Sequence, residues 1–465
     1  MSHVGTTELR SRFAAALSHL YGTEVPAYTT LLQVSEEVNR RVIEEQGDSA
    51  ERLGSIARVT AERHGAIRVG SAAELAQVAR IFGALGMHPT GFYDLRDARP
   101  QPIPVVSTSF RPTDTEELAR NPFRVFTSVL VPQDRRFFDA DLERRLTAFI
   151  ESRTLFPDEL LVLADRAEAG GGLDAADAER FLELATASFA LSPEPVDRAW
   201  YAELERISGV AADIGGVAST HINHLTPRVL DIDDLYRRMQ DRGITMIDRI
   251  QGPPAWGGPD VLLRQTSFRA LAEPRRFAEP DGSVSTGELR VRFGEVEARG
   301  IALTPAGRDL YDRMVALVDE RMADRPDDDR PAVAAHVWAE HLPATEQELC
   351  LGGLGYFSYA TAGRTPEGTP PGTLRELLEQ GWVEATPIVY EDFLPRSAAG
   401  IFASNLTGNA TLHADQGGAE RDAAWLSDAI GRPVAAPEQI YAEQSAISLR
   451  AVEKELGIAV PDPIG

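Results

Sequence analysis

A single cysteine, Cys350, in 465 residues excludes any disulfide within the chain and fits a reducing compartment. Long apolar runs are missing as well. Nothing approaches the ~18 consecutive apolar residues that span a bilayer, so no membrane partner is expected. The first residues, Met1-Ser2-His3-Val4-Gly5-Thr6-Thr7-Glu8, lack the apolar core of a signal peptide, and the expected location is cytoplasmic. Positive charge is scarce: 47 basic against 71 acidic residues give a formal net charge of −24. That balance argues against a nucleic acid or an anionic membrane as partner. An acidic substrate must then be held by locally placed arginines. No coiled coil or extended low-complexity tract is visible. What remains is ordinary for a globular enzyme, with 43% hydrophobic and 25% charged residues and room for two or three compact units. The oligomeric state is left open.

The richest stretch is Thr220-His221-Ile222-Asn223-His224-Leu225-Thr226, which reads as a strand bearing imidazoles. A later strand, Phe293-Gly294-Glu295-Val296-Glu297, carries carboxylates, and the strand-like run His64-Gly65-Ala66-Ile67-Arg68-Val69 supplies another imidazole. Two histidines and one carboxylate on separate strands are what a non-haem Fe(II) site requires. Imidazole and carboxylate hold the metal on one face and leave positions open on the other.

The order of elements places these strands in two similar units. Residues 1–60 read as helical, with apolar positions near helical spacing. In the first unit, 61–132, the His64–Gly70 strand precedes a helix from Ala72 to Leu85. Ser71 is its expected N-cap, Glu74 completes a capping box, and Gly86 stops it. Strands are expected at Thr90–Leu95, Ile103–Phe110 and Phe123–Val131. A helical insertion, 133–212, contains Gly170-Gly171-Gly172, read as a flexible break. The second unit, 213–300, repeats the design. A strand at His221–Thr226 is followed by a helix through Leu235 and Met239, capped by Asp231 or Asp233, and by strands at Thr245–Gln251, Val261–Ala270 and Leu289–Ala298. A helical connector, 301–345, opens at Thr304-Pro305, and a mixed segment, 346–465, ends in a helix from about Glu438 to Leu456. The fold class is therefore α+β. Ionisable residues on equivalent first strands, His64 and His221, have a physical reason to meet in one central cavity.

The competing readings are weighed residue by residue. His3, His19, His88, His336, His341 and His413 keep the ordinary reading of surface, helix or cap residues. His221 and His224 are three apart, so a regular strand points them to opposite faces and admits one of them as a ligand. His221 is preferred, with His224 as a buried residue bonded to backbone or ligand. Glu295 and Glu297 share a face, and burying both without cations is expensive. One on a metal and the other paired with Arg292 or Arg299 resolves the cost. Arg68 lies on the His64 face ~13 Å further along the strand, placed to clamp a distant carboxylate. Gln265, Thr266, Ser267 and Arg269 are candidates for outer contacts.

These blocks, together with Thr226-Pro227-Arg228, Ala298-Arg299-Gly300, and Tyr390-Glu391-Asp392-Phe393-Leu394-Pro395 running into Ser397-Ala398-Ala399-Gly400-Ile401-Phe402, resemble the 2-oxoadipate dioxygenase/decarboxylase family of the vicinal-oxygen-chelate superfamily. The resemblance implies two βαβββ modules forming a half-open β-barrel around Fe(2+). It implies His64, His221 and Glu295 as catalytic metal ligands and Arg68 as substrate clamp. The implied reaction converts 2-oxoadipate, a 2-oxo dicarboxylic acid, and O2 into 2-hydroxyglutarate and CO2 in lysine breakdown. Glu295 gains support because Phe293-Gly294-Glu295-Val296-Glu297-Ala298-Arg299 is similar to the iron-binding strand of 4-hydroxyphenylpyruvate dioxygenase. The family pocket takes contacts around Ser397. Arg396, where the family pattern has a small apolar residue, either alters the fine substrate preference or adds a second carboxylate-binding group. The alternatives are another metal-dependent enzyme of this fold (an extradiol-type dioxygenase, a lyase or an isomerase) or a non-catalytic metal-binding protein.

Overall fold

The computed structural model describes residues 3–47, 50, 63–98, 101–363, 366–405 and 417–460. Residues 51–62, in the segment read as helical or at its edge, and His413 lie outside them. In chain order the strands are β1 (His3–Gly5), β2 (Arg63–Val69), β3 (His88–Asp94), β4 (Val105–Arg111), β5 (Arg124–Leu130), β6 (Gly172–Asp174) and β7 (Val196–Asp197). They continue with β8 (His224–Pro227), β9 (Leu263–Ser267), β10 (Glu273–Ala278), β11 (Val284–Leu289), β12 (Glu295–Arg299), β13 (Phe357–Thr361) and β14 (Val383–Pro387). Helices cover their faces and ends, which makes the class α+β.

The main sheet has the order β3-β4-β5-β2-β8. Its pairs are antiparallel except β5 with β2, which run parallel. The helix between β2 and β3, Ala72–Ala84, starts where the sequence places it, because the Ser71 side chain accepts from the Glu74 N–H at 3.2 Å. Gly86 at φ +66 turns the chain away from it. Register divides the sheet into two faces. His64, Ala66 and Arg68 stand opposite Arg124, Phe126 and Ser128 of β5, and Ser107 and Ser109 of β4 continue that side. This face is mostly polar although every one of these residues is buried. The other face is apolar and packs under helices. Phe13 of the helix Thr6–Glu24 and Phe82 of the helix Ala72–Ala84 lie 6.5 Å apart, and Phe82 meets Phe110 of β4 at 5.3 Å. Rings buried to this degree contribute roughly 1.5–3 kcal/mol each. A sheet with one apolar and one polar buried face has its core on one side and a site on the other.

Beyond β8 the pairing continues through single bridges. Arg228 pairs parallel with Glu297, and the Val229 N–H donates to the Glu297 carbonyl at 2.8 Å. β12 then pairs antiparallel with β9, placing Glu295 opposite Ser267 and Glu297 opposite Gln265. Three expectations change here. The run Thr245–Gln251 makes only isolated bridges, at Met246 with Phe268 and Gln251 with Gln265. The span Leu289–Ala298 is two strands: β11 ends at Leu289, and β12 begins at Glu295. Between β9 and β12 the chain also inserts the hairpin β10–β11, which pairs with β7.

The glycine triplet also departs from expectation. Gly171, at φ +64, caps the helix Asp158–Gly170, and Gly172 enters β6, which pairs with β1. A Cβ on Gly172 would sit 2.2 Å from the Val4 carbonyl oxygen. The triplet is a close approach between strands, not a loose joint. No helix among the described residues is long and apolar enough to cross a membrane.

Candidate metal centre

Strand phase decides which side chains meet. His64 of β2 stands opposite Thr226 of β8, and Ala66 stands opposite His224. Opposed residues share a face, and so do residues two apart on one strand. His224 and His64 therefore project to the same side. Glu295 enters from β12 across the β8 junction. His224 Nε2 lies 2.9 Å from Glu295 Oε2, and His64 Nε2 lies 3.9 Å from the same oxygen. Among the described residues, His64, His224 and Glu295 are the group of three whose ligand atoms all fall within 4.8 Å of one another, and all three are buried.

The donor set fits a divalent metal. Among the described residues, His64 Nδ1 and both ring nitrogens of buried His224 make no aligned hydrogen bond, although each histidine has a nitrogen close to a carboxylate oxygen. Burial lowers the pKa of His224, outweighing the pull of Glu295 toward the charged form. A neutral imidazole and a carboxylate whose lone pairs face one point suit a cation between them, and two nitrogens with one oxygen suit a first-row transition metal. The other Glu295 oxygen, Oε1, accepts from the Gln265 amide. Aromatic rings wall the histidines: Phe393 meets the His64 ring edge-on at 4.9 Å, and Phe293 lies 5.1 Å from the His224 ring.

Glu297 stands directly behind this group. Its Oε2 is 2.8 Å from His64 Nδ1, and the Arg299 fork holds both oxygens at 2.7 and 2.9 Å. Burial alone would raise this carboxyl, but Arg299, His64 and Arg124 more than offset it and hold it well below the usual range. Arg292, the other arginine considered as its partner, pairs instead with Glu273 and Glu24.

His221 is not part of the cluster. It precedes β8, which starts only at His224, so the regular strand expected from residue 221 is absent. Its Nε2 faces Asn223 Nδ2 at 3.1 Å and Asp213 Oδ1 at 3.4 Å. The imidazole that lies with that of His64 and the Glu295 carboxylate is thus that of His224, not of the expected His221. Arg68 does share the His64 face, and its guanidinium engages Asp213, which also accepts from Asn223 Nδ2 at 3.0 Å. Asp213 escaped the sequence reading. Its signal was a lone acid in the apolar run Val210-Ala211-Ala212-Asp213-Ile214, and it is buried in the helix Gly209–Gly215.

The sequence leads one to expect that Arg396 tunes the substrate preference or binds a second carboxylate. Its side chain is 59% exposed and pairs with Asp319 Oδ2 at 2.8 Å. It sits at the start of the helix Pro395–Asn405, whose first turn buries the next residue, Ser397. That helix is anchored across β9, since Asn405 Nδ2 donates to Ser267 Oγ at 2.8 Å. Arg396→Ala should therefore change stability by no more than about 0.5 kcal/mol. Its effect on kcat/KM should stay within about twofold, far below a tenfold step of ~1.4 kcal/mol. Steady-state kinetics beside a thermal melt would check both, and a large rise in KM would restore the arginine to the pocket.

Comparisons with known proteins bear on the same residues. The profile of the family described as 2-oxoadipate dioxygenase/decarboxylase matches residues 13–405. The chain belongs to that family. A relative from Mycobacterium tuberculosis named 2-oxoadipate dioxygenase/decarboxylase is 55% identical over 436 residues, covering 94% of this chain and 96% of its own. One of the same name from Pseudomonas putida is 39% identical over 468 residues, covering 98% of both. Among solved structures, the Pseudomonas putida hydroxyglutarate synthase in complex with 2-oxoadipate superposes with a TM-score of 0.82 at 38% identity. That match covers 98% of this chain and all of the other. Family membership thus extends over the strands that carry His64, His224, Glu295 and the Tyr390–Phe393 block.

Proposed function

We propose that this chain is an Fe(II)-dependent 2-oxoadipate dioxygenase that releases CO2 and yields 2-hydroxyglutarate, acting in lysine breakdown in the cytoplasm. The observation that carries this reading is the buried convergence of His64, His224 and Glu295 in a member of the 2-oxoadipate dioxygenase/decarboxylase family. The atoms balance without a second reductant, because the substrate carries its own oxidisable 2-oxo acid. The carboxylate beside the keto group leaves as CO2. One atom of O2 completes a new carboxylate at the former keto carbon, and the other becomes the hydroxyl of the product. We further propose that residues 61–132 and 213–300 are βαβββ modules of the vicinal-oxygen-chelate type, forming a half-open barrel. The segments 1–60, 133–212 and 301–345 are then a helical N-terminal segment, a helical insertion and a helical connector, and the mixed segment 346–465 contributes to the pocket.

In this reading His64, His224 and Glu295 hold the metal. Bound Fe(II) supplies a chelation point for the 2-oxo acid and the open-shell centre that lets triplet O2 react with it. The protein's own work is positional. Gln265 fixes the outer oxygen of Glu295, so the carboxylate presents one oxygen to the site. Phe393 and Phe293 pack on the imidazoles and keep water from the buried nitrogens. Arg68, on the His64 face, holds the distal carboxylate and so sets the reach between the two ends of the substrate. Ser397, buried in the first turn of its helix, contributes to the pocket wall.

The expected result with anaerobically reconstituted protein is O2 uptake on adding 2-oxoadipate, with one CO2 released per O2 consumed. Turnover that persists without oxygen would replace this reading with a lyase or isomerase. Selective consumption of catechols would replace it with ring cleavage.

A further inference from the structure

Glu297 has no place among the three converging ligand atoms, yet it is fully buried and touches one of the residues that supply them. Its charge is met on the far side. Arg299 donates to both carboxylate oxygens, and Arg124 Nη1 approaches Oε1 at 4.0 Å. Arg299 is itself fixed, because its Nη1 donates to the backbone oxygens of Tyr390 at 2.8 Å and Asp392 at 3.1 Å. The pair is thus anchored in the segment that also places Phe393 against the His64 ring.

A buried glutamate needs its arginine, but it does not need an imidazole as well. The imidazole needs the glutamate. A histidine can coordinate through Nε2 only when the proton resides on Nδ1, and a carboxylate 2.8 Å from Nδ1 selects that tautomer and fixes the ring plane. The nitrogen left with a lone pair is Nε2, the atom that faces Glu295 at 3.9 Å. His224 has no such arrangement. Neither His64 Nδ1 nor either His224 nitrogen makes an aligned hydrogen bond among the described residues, but His64 Nδ1 has a carboxylate oxygen 2.8 Å away. The carboxylate near His224 faces its Nε2 instead, and Phe293 packs beside the ring.

We infer that Glu297, clamped by Arg299, is a positioning residue that orients His64 and sets the metal affinity of the site. The two carboxylates of Glu295-Val296-Glu297 then divide the labour across one strand face, the first as ligand and the second as the ligand's orienting partner. This inference rests on the metal-site reading given under the proposed function.

The test is anaerobic titration of metal-free full-length protein with Co(II) against a competing chelator, with circular dichroism as the check on folding. Glu297→Gln keeps an acceptor near Nδ1 but removes its charge. Affinity should fall about tenfold or more, within the ~10–100-fold range seen when outer partners of metal-bound histidines are lost. The visible bands of the Co(II) form should also shift. Arg299→Lys keeps a positive charge but loses the fork, and should weaken binding by a smaller factor. It reads the same contact if Glu297→Gln does not fold. Wild-type affinity and an unchanged Co(II) spectrum in a folded variant would overturn the inference. Wild-type protein that takes up no Co(II), Fe(II) or Mn(II) would overturn the metal reading along with it. Wild-type binding with an indifferent Glu297→Gln would remove only the role of Glu297.

Discussion

His224→Ala should give a folded protein that retains no divalent metal and does not turn over 2-oxoadipate, whereas His221→Ala should keep its metal at wild-type stoichiometry. The contrast follows from strand phase. His224 opens β8 and faces His64 and Glu295 from the next strands, while His221 lies in the preceding loop beside Asn223 and Asp213. Losing one of three ligands removes a bond to the ion itself, so the effect must exceed the ~10–100-fold cost of losing an outer partner. His221 is costly for another reason. Burial pushes its pKa down to about 4, against the opposing pull of Asp213, so the ring is neutral at physiological pH and acts as a hydrogen-bonding filler. Its removal should cost roughly 1–3 kcal/mol of stability through the lost hydrogen bond and the void left behind. Metal analysis after anaerobic reconstitution, beside denaturant melts, separates the two outcomes. The reverse pattern, metal lost with His221 and kept with His224, would refute the cluster.

That choice between histidines shows where sequence reading runs out. The alternation rule admits only one of the pair, and the structure obeys it. Which one depends on where β8 starts, and that is set by pairing with β2, a strand far away in the chain. No local pattern around Thr220 records this. The first strand-helix unit is legible because its punctuation is local: Ser71 with Glu74 at one end of the helix and Gly86 at the other. The hairpin β10–β11 carries a readable signal of its own. Asp281-Gly282, with Gly282 at φ +84, is a hairpin turn between half-exposed strands. Arg396 illustrates the opposite limit. Its neighbour Ser397 is buried, and only the rotation of the helix about its axis sends one inward and the other toward Asp319. Glu295 and Glu297 are readable as a pair on one face. Their separate surroundings follow from Gln265 across the ladder and Arg299 further along it.

Arg68→Ala should lower kcat/KM for 2-oxoadipate by roughly 100- to 1,000-fold, the equivalent of ~3–4 kcal/mol for a desolvated charge pair. The same variant should have far less effect on 2-oxohexanoate, which has the same chain length but no distal carboxylate. This difference between substrates matters because Arg68 is also part of a buried pair. Removing it strands Asp213, and an uncompensated buried carboxylate destabilises by about 3–5 kcal/mol. Lost activity in Arg68→Ala alone would therefore not separate a substrate clamp from a structural arginine. Combining Arg68→Ala with Asp213→Asn removes the stranded charge and should recover much of the stability, leaving the dicarboxylate defect in place. The geometry requires that defect to be selective. Arg68 is four residues along β2 from His64 and on its face, so it can reach only the end of the substrate remote from the 2-oxo acid. Equal losses for the mono- and dicarboxylic acids in the stabilised double variant would mean that Arg68 holds the fold rather than the substrate.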